Sequence, residues 1–323
     1  MLPPPFHNAL VLTGPTGSGK TTLGIELAPR LDAEIVSMDS MAPYRGMDIG
    51  TAKPTLAERT AVPHHLVDVL QPWESASVAW WLEEAKRCCQ DIEARGKQVL
   101  FVGGTPLYLK ALMCGLFAGP PADEAIRRRL TQEIAALGSL AVHQRLAAID
   151  PVSAARIHPN DVRRMIRALE VHELTGKPIS AWQTQWPAAG GQESGVRGQG
   201  SVLWLDLVRE HLYERIERRV EKMFAGGLVD EARRLRALEC PLSHEASQAL
   251  GYTEAFDLLD GKIALQEAIV RVQMRSRNLA KRQITWFRHL PDCRPTTKDL
   301  TCELWIDRMN RCNKPAILVD GDK

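Results

Sequence analysis

The chain has 323 residues, 45% of them hydrophobic and 25% charged, which allows a sizeable core and excludes a disordered or fibrous protein. Its formal net charge of +2 excludes a uniformly basic nucleic-acid binder, so any basic surface must be local. No apolar run reaches the roughly 20 residues that cross a bilayer, and the seven cysteines contain no CxxC pair, which argues for reduced thiols in a cytoplasm and against a zinc site or disulfide framework.

The opening "MLPPPFHNALVLTG" lacks a charged n-region and a small-residue cleavage site, so it reads as the approach to a buried strand, not as a secretory signal. That strand is "NALVLT". The glycine loop "GPTGSGKTT" follows, and "KTTLGIELAPRL" has a helical pattern. "AEIVSMD" is a second apolar run. "SVAWWLEEAKRCCQDIEARG" predicts a helix ended by Gly96. "QVLFVGGT" and, much later, "SVLWLDL" are two more near-continuous apolar runs, which suit strands buried on both faces.

This alternation predicts an α/β core with a parallel sheet. It is interrupted between residues 120 and 200, where only helical patterns occur, ending in the Gly-rich connector "AAGGQESGVRGQGS". The expected organisation is a core of residues 1–119 and 201–323 with an all-helical insertion at 120–200. Residues 210–290 again read as helices, with breaks near Gly226–Gly227, Pro241 and Gly261. The last residues read as a peripheral tail.

Gly14, Gly19, Lys20 and Thr21 satisfy G-x-x-x-x-G-K-[ST], with a strand before and a helix after. Backbone N–H groups of Gly14, Pro15, Thr16, Gly17, Ser18 and Gly19 (Pro15 excepted, having none) can face an anion. The helix start and Lys20 add positive charge, and Thr21 offers a hydroxyl to Mg²⁺. The result is a phosphate-binding, P-loop NTPase-like core, but the loop alone does not say whose phosphate it holds. Asp39 ends the second strand, where spacing allows either a Mg²⁺ ligand or a general base. Thr105, after Gly103 and Gly104, could contact substrate or close a turn. His64 and His65 have no partner at ligand spacing and read as structural.

Further motifs decide among the possible ligands. "GPTGSGKT", "DSMAPYRGMDIGTAKP", "HHLVDV", "GGTPLYLKAL", "DPVSAARIHPNDVRRMIRALEVHELTGKPIS", "LYERIERRVEKM", "GLVDEARRL", "QALGYTEAFDLLDG" and "AKRQITWFR" occur in that order. In these the chain resembles the tRNA dimethylallyltransferases, over roughly residues 9–290. The resemblance implies that the loop holds the diphosphate of dimethylallyl diphosphate, and that the dimethylallyl group passes to N6 of adenine 37 of certain tRNAs. It makes Asp39 the general base and Arg215 a diphosphate clamp, with Lys20 and Thr21 also in the catalytic set and Mg²⁺ as cofactor. A monomer is expected.

The same resemblance points to Asp39, Ser40, Met41, Ala42 and Thr105 at the target nucleotide. It points to Arg127, Arg163, Arg164, Met165, Ile166, Arg167, Lys281 and Arg282 along the tRNA, with the helical insertion clamping the anticodon stem-loop. The target base must be extruded to react. The family commonly carries Gln where this chain has Ala42, Gln where it has Arg163, and Ala where it has Gly17. Three other readings are a small-molecule kinase, an isopentenyltransferase acting on free AMP or ATP, and a non-catalytic RNA-binding protein. The helical insertion and the basic stretch at 271–288 distinguish a tRNA enzyme from the first two. Lys20, Thr21 and Asp39 together speak against the last.

Overall fold

A computed structural model describes residues 2–117, 119–183 and 201–312. It separates into two compact units, Met1–Met113 with Ser194–Lys323, and Cys114–Glu193. The connector expected at residues 188–201 lies, apart from Ser201, outside the described residues.

The first unit is built on six parallel strands: β1 (Leu10–Thr13), β2 (Ala33–Ser37), β3 (His64–His65), β4 (Gln98–Gly103), β5 (Val202–Leu205) and β6 (Cys293–Thr296). Their order is β3-β2-β4-β1-β5-β6. Every residue of β1, β2 and β5 is buried, because helices cover both faces and leave no solvated side to alternate toward. The chain leaves β1 in one direction, to β2 beyond β4, and later returns on the other side as β5. The carboxyl end of β1 is therefore a switch point, where open parallel sheets form their binding crevice.

The helices of this unit are α1 (Lys20–Leu27), α2 (Leu56–Ala61), α3 (Val78–Ala94) and α4 (Pro106–Cys114). Pro29 cannot extend α1, and the chain tightens there into a 3₁₀ turn, Pro29–Leu31. Ser77 caps α3 through the Trp80 amide. On one face of the sheet Leu10, Leu12, Ile35, Leu100 and Leu203 pack against Leu23 and Leu27 of α1. On the other, Trp81 stacks on Tyr108 at 4.4 Å and meets Phe101 at 6.1 Å.

The second unit is helical: α5 (Glu124–Leu137), α6 (Ser139–Ile149), α7 (Pro151–Ala154) and α8 (Val162–Thr175). Its core holds Leu130, Val142, Leu146, Met165 and Leu169. Glu170 is fully buried among them. It accepts from the Asp123 amide at 2.8 Å, Arg127 Nε at 2.8 Å and Arg167 Nη1 at 2.6 Å. Burial alone would raise its pKa. These donors outweigh that and hold the carboxyl below its ordinary value.

The chain returns through β5 to α9 (Arg209–Ala225), α10 (Leu228–Arg236), α11 (His244–Ser247), α12 (Tyr252–Leu259), α13 (Leu265–His289) and α14 (Lys298–Cys312). The expected breaks at 226–227, 241 and 261 fall between these helices. The tail is not peripheral throughout. Residues 293–296 add β6 to the sheet edge, pairing with β5, and Trp305 of α14 is buried in the α1-side core.

Candidate functional site

The phosphate loop leaves β1 at the switch point and runs into α1. Gly17 and Gly19 have φ of 84° and 91°, left-handed values that favour glycine. Loop residues Thr16, Lys20 and Thr21 line a cavity of about 260 Å³ at the carboxyl ends of the strands. Asp39, Ser40, Met41 and Ala42 line it from the end of β2, and Gly103, Gly104 and Thr105 from the end of β4. Arg219 of α9 and Val272, Ser276, Leu279 and Gln283 of α13 complete the α-helical side. Thr16, Lys20 and Thr21 of the phosphate loop therefore share one cavity with Asp39 and Thr105.

Charge is concentrated on the loop side. Among the described residues Lys20 Nζ donates to the Pro15 carbonyl alone, at 3.3 Å. Burial lowers its pKa from 10.5 to about 8, with Asp39 pulling it back up and Arg219 pressing it down. Arg219 Nη2 donates to Thr16 Oγ1 at 2.7 Å, while its Nε is buried with no hydrogen-bond partner. Burial lowers the Arg219 pKa too, opposed by Asp39. The Ser18 hydroxyl is a second buried group without a partner among the described residues. Two withdrawn cations with idle donors describe an anion site, because a buried charge needs a counter-charge or full hydrogen bonding.

The base side is held by a chain of short bonds. The Met41 amide donates to Asp39 Oδ1 at 2.8 Å, and the Ser40 amide to Thr105 Oγ1 at 3.0 Å. The Thr105 amide donates to the Met38 carbonyl at 3.2 Å. The ends of β2 and β4 are pressed so close that a side chain at Gly103 would drive into the Met38 backbone. Ala42 is buried, at 6% exposure, so the position where the family commonly carries Gln offers no polar atom beyond its backbone.

Arg215 does not line this cavity. It is exposed, and its Nε donates to the Gly17 carbonyl from the outer side of the loop at 2.8 Å. Its guanidinium lies where a side chain on Gly19 would have to go. Arg219, one helical turn further along α9, is the arginine that faces inward. His65 Nε2 bonds Glu34 at 2.6 Å. His64 Nδ1 bonds the Val62 carbonyl at 2.7 Å, and this residue lies on the cavity wall.

A protein-family model described as IPP transferase matches residues 42–290. The chain belongs to the IPP transferase family. It is 46% identical to the tRNA dimethylallyltransferase of Rhodopirellula baltica, over 90% of this chain and 88% of that one. It is 47% identical to that of Geobacillus kaustophilus, over 86% and 87%. Among solved structures it resembles the full-length tRNA isopentenylpyrophosphate transferase of Bacillus halodurans, with TM-score 0.65 and 38% identity over 94% of this chain and 99% of that one. It also resembles a eukaryotic dimethylallyltransferase acting on tRNA, with TM-score 0.69 and 28% identity over 90% and 73%.

The basic residues of the chain divide sharply. In the helical unit Met165 is fully buried, Ile166 packs on the same core, and Arg167 and Arg127 are spent on Glu170. Met165 therefore cannot touch RNA with its side chain, and Arg127 and Arg167 are each only partly exposed. Arg163 and Arg164 are exposed. Arg164 pairs with Asp161 at 3.1 Å, whereas Arg163 has no ion-pair partner among the described residues.

On α13 the acids missing from the local sequence come from other helices. Glu254 pairs with Arg275, and Glu217 with Arg277 at 2.5 Å. Lys281 and Arg282 remain exposed and without an ion-pair partner among the described residues. Gln283 beside them was not singled out by the sequence, yet it touches two walls of the cavity. Its Oε1 accepts from the Thr16 amide at 2.8 Å, and its Nε2 donates to the Gly104 carbonyl at 2.6 Å.

Proposed function

We propose that this chain is a tRNA dimethylallyltransferase, moving the dimethylallyl group of dimethylallyl diphosphate to N6 of adenosine 37 and releasing diphosphate. The observation that carries this reading is the cavity in which Lys20 and Arg219 converge on an anion site while Asp39 stands on the opposing loop. Family membership supports tRNA as the acceptor, and the two cations facing Asp39 across the cavity support a diphosphate donor. The phosphate loop and the two cations hold the leaving group and stabilise the charge that grows on it. Asp39 takes the proton that the N6 amine must lose. The apolar side chains of Val272 and Leu279 offer a dry wall beside them.

Mg²⁺ fits the donors present. The described residues contain no group of three or more His, Cys, Asp or Glu that could hold a metal ion by itself. The Thr21 hydroxyl is instead a hard oxygen donor at a phosphate site, and Mg²⁺ usually binds through few protein oxygens plus substrate phosphates. Bound there, it would neutralise diphosphate charge.

The Lys20 pKa gives a signed pH dependence. In the ligand-free protein its ammonium is lost as pH rises through about 8, so the anion site weakens on the alkaline side. The KM for dimethylallyl diphosphate is expected to climb from about pH 7 to about pH 9, and proton uptake on donor binding is expected in the same window. A flat profile would place the Lys20 charge outside donor binding.

In this reading Arg163 and Arg164 of the helical unit contact tRNA, and in the other unit Lys281 and Arg282 of α13 do so, all four being exposed. Arg163→Ala is expected to weaken tRNA binding and reduce the slope of log K against log salt by about one. Unchanged binding would exclude that contact.

The deciding experiment incubates purified protein with dimethylallyl diphosphate, Mg²⁺ and unmodified tRNA, then analyses digested nucleosides. N6-dimethylallyladenosine at position 37 is expected. Equal transfer to free AMP would make this an adenylate isopentenyltransferase, and phosphorylation of a metabolite from ATP would make it a kinase.

A further inference from the structure

The donor cradle follows β1 and Asp39 follows β2, and between them, at the end of β4, the side chain of Gln283 ties the cradle to the neighbouring wall. Gln283 is 6% exposed. It bonds the Thr16 amide of the phosphate loop with one end of its carboxamide and the Gly104 carbonyl with the other. The amide orientation is forced, since a backbone N–H can only donate and a carbonyl can only accept. On the donor side, Thr16 also receives Arg219. On the acceptor side, Gly104 precedes Thr105, whose hydroxyl accepts from Ser40, the neighbour of Asp39. One path from the anion site to the carboxylate therefore runs through Gln283, beyond the strand ends that the Thr13 hydroxyl ties at the Gly103 carbonyl, 2.7 Å away.

We propose that Gln283 is a positioning residue that sets the separation between the leaving-group cradle and the general base, and so the line of attack of the adenine on the allylic carbon. This rests on the prenyltransfer reading above. No other side chain could serve in the same way. Met keeps the length but neither bond. Glu accepts from Thr16 but, ionised, sets an oxygen against the Gly104 carbonyl. Asn is too short to span both loops. The bond partners belong to the rigid ends of β1 and β4, and Gly104 has Gln283 Nε2, the Gly14 carbonyl and Lys20 Nζ within 3.2 Å of where a side chain would start. Displacement of one loop is thus transmitted to the other.

The test compares wild type, Gln283→Met and Gln283→Glu by kcat, by KM for both substrates and by Tm. Gln283→Met is expected to lose about 10- to 100-fold in kcat, the scale of a misplacement near 1 Å, with KM for dimethylallyl diphosphate within about threefold of wild type. Gln283→Glu is expected to be as slow at neutral pH and to recover relative to wild type as pH falls, because a protonated carboxyl regains a donor for Gly104. This pH recovery also decides the matter if the Met variant does not fold. A wild-type kcat in both variants, or a loss confined to Tm and KM, overturns the proposal. Failure of the wild type to prenylate tRNA overturns the functional reading instead.

Discussion

Asp39→Asn is expected to lower kcat by roughly 10²- to 10⁴-fold, the range for lost acid–base help, while leaving the affinities for tRNA and dimethylallyl diphosphate close to wild type. The N6 lone pair of adenine is delocalised into the ring, so the amine attacks well only as its proton leaves. Asn keeps an oxygen for the Met41 amide that bonds Asp39 at 2.8 Å, and so preserves the loop while removing the proton acceptor. Single-turnover rates with bound substrates measure the chemical step directly. If Asp39 acted instead as a cation ligand, the variant would recover its rate at high Mg²⁺. A wild-type rate would remove Asp39 from the mechanism.

Arg219→Ala is expected to cost about 10²- to 10³-fold in kcat, comparable to losing one preorganised donor at a developing negative charge. Arg215→Ala should cost less than about tenfold. The two arginines are one turn apart on α9 and look equivalent in sequence. They differ in what they face. Arg219 is drawn into the cavity, bonds Thr16 and keeps a buried Nε idle. Arg215 straps the loop from outside through the Gly17 carbonyl and stays in water, where screening limits its pull on the diphosphate. Parallel measurement of kcat for both variants checks the ranking. A larger loss in the Arg215 variant would reverse the assignment.

The parts of this molecule legible in sequence are those written in local pattern. Four buried strands carry continuous apolar runs, and the phosphate loop carries its glycines and lysine in fixed spacing. Breaks at glycine and proline mark the helices from 209 onward. β3 and β6 were not legible. His64–His65 is two residues long, and "CRPT" is polar and contains a proline, which only an edge strand tolerates.

In the site, Asp39 and Thr105 could be named because they follow strand ends. Gln283 and the inward turn of Arg219 could not, since both depend on partners far away in the chain. The same blindness made the stretch 271–288 look free of acid. Glu217 and Glu254, which neutralise two of its arginines, sit on α9 and α12. In "RRMIRALE" the spacing of Arg167 and Glu170 allows their pairing, but does not show the burial of Glu170 or its second arginine, Arg127 on another helix.

The bond between the Thr16 amide and Gln283 closes a span of 267 residues, and β1 lies between β4 and a strand that begins at Val202. The phosphate loop is synthesised long before α13, so a nascent chain that lacks α13 has a cradle without this brace. So distant a closure adds a contact of high sequence separation, and such contacts reward a chain only after its loops have been ordered, which slows folding.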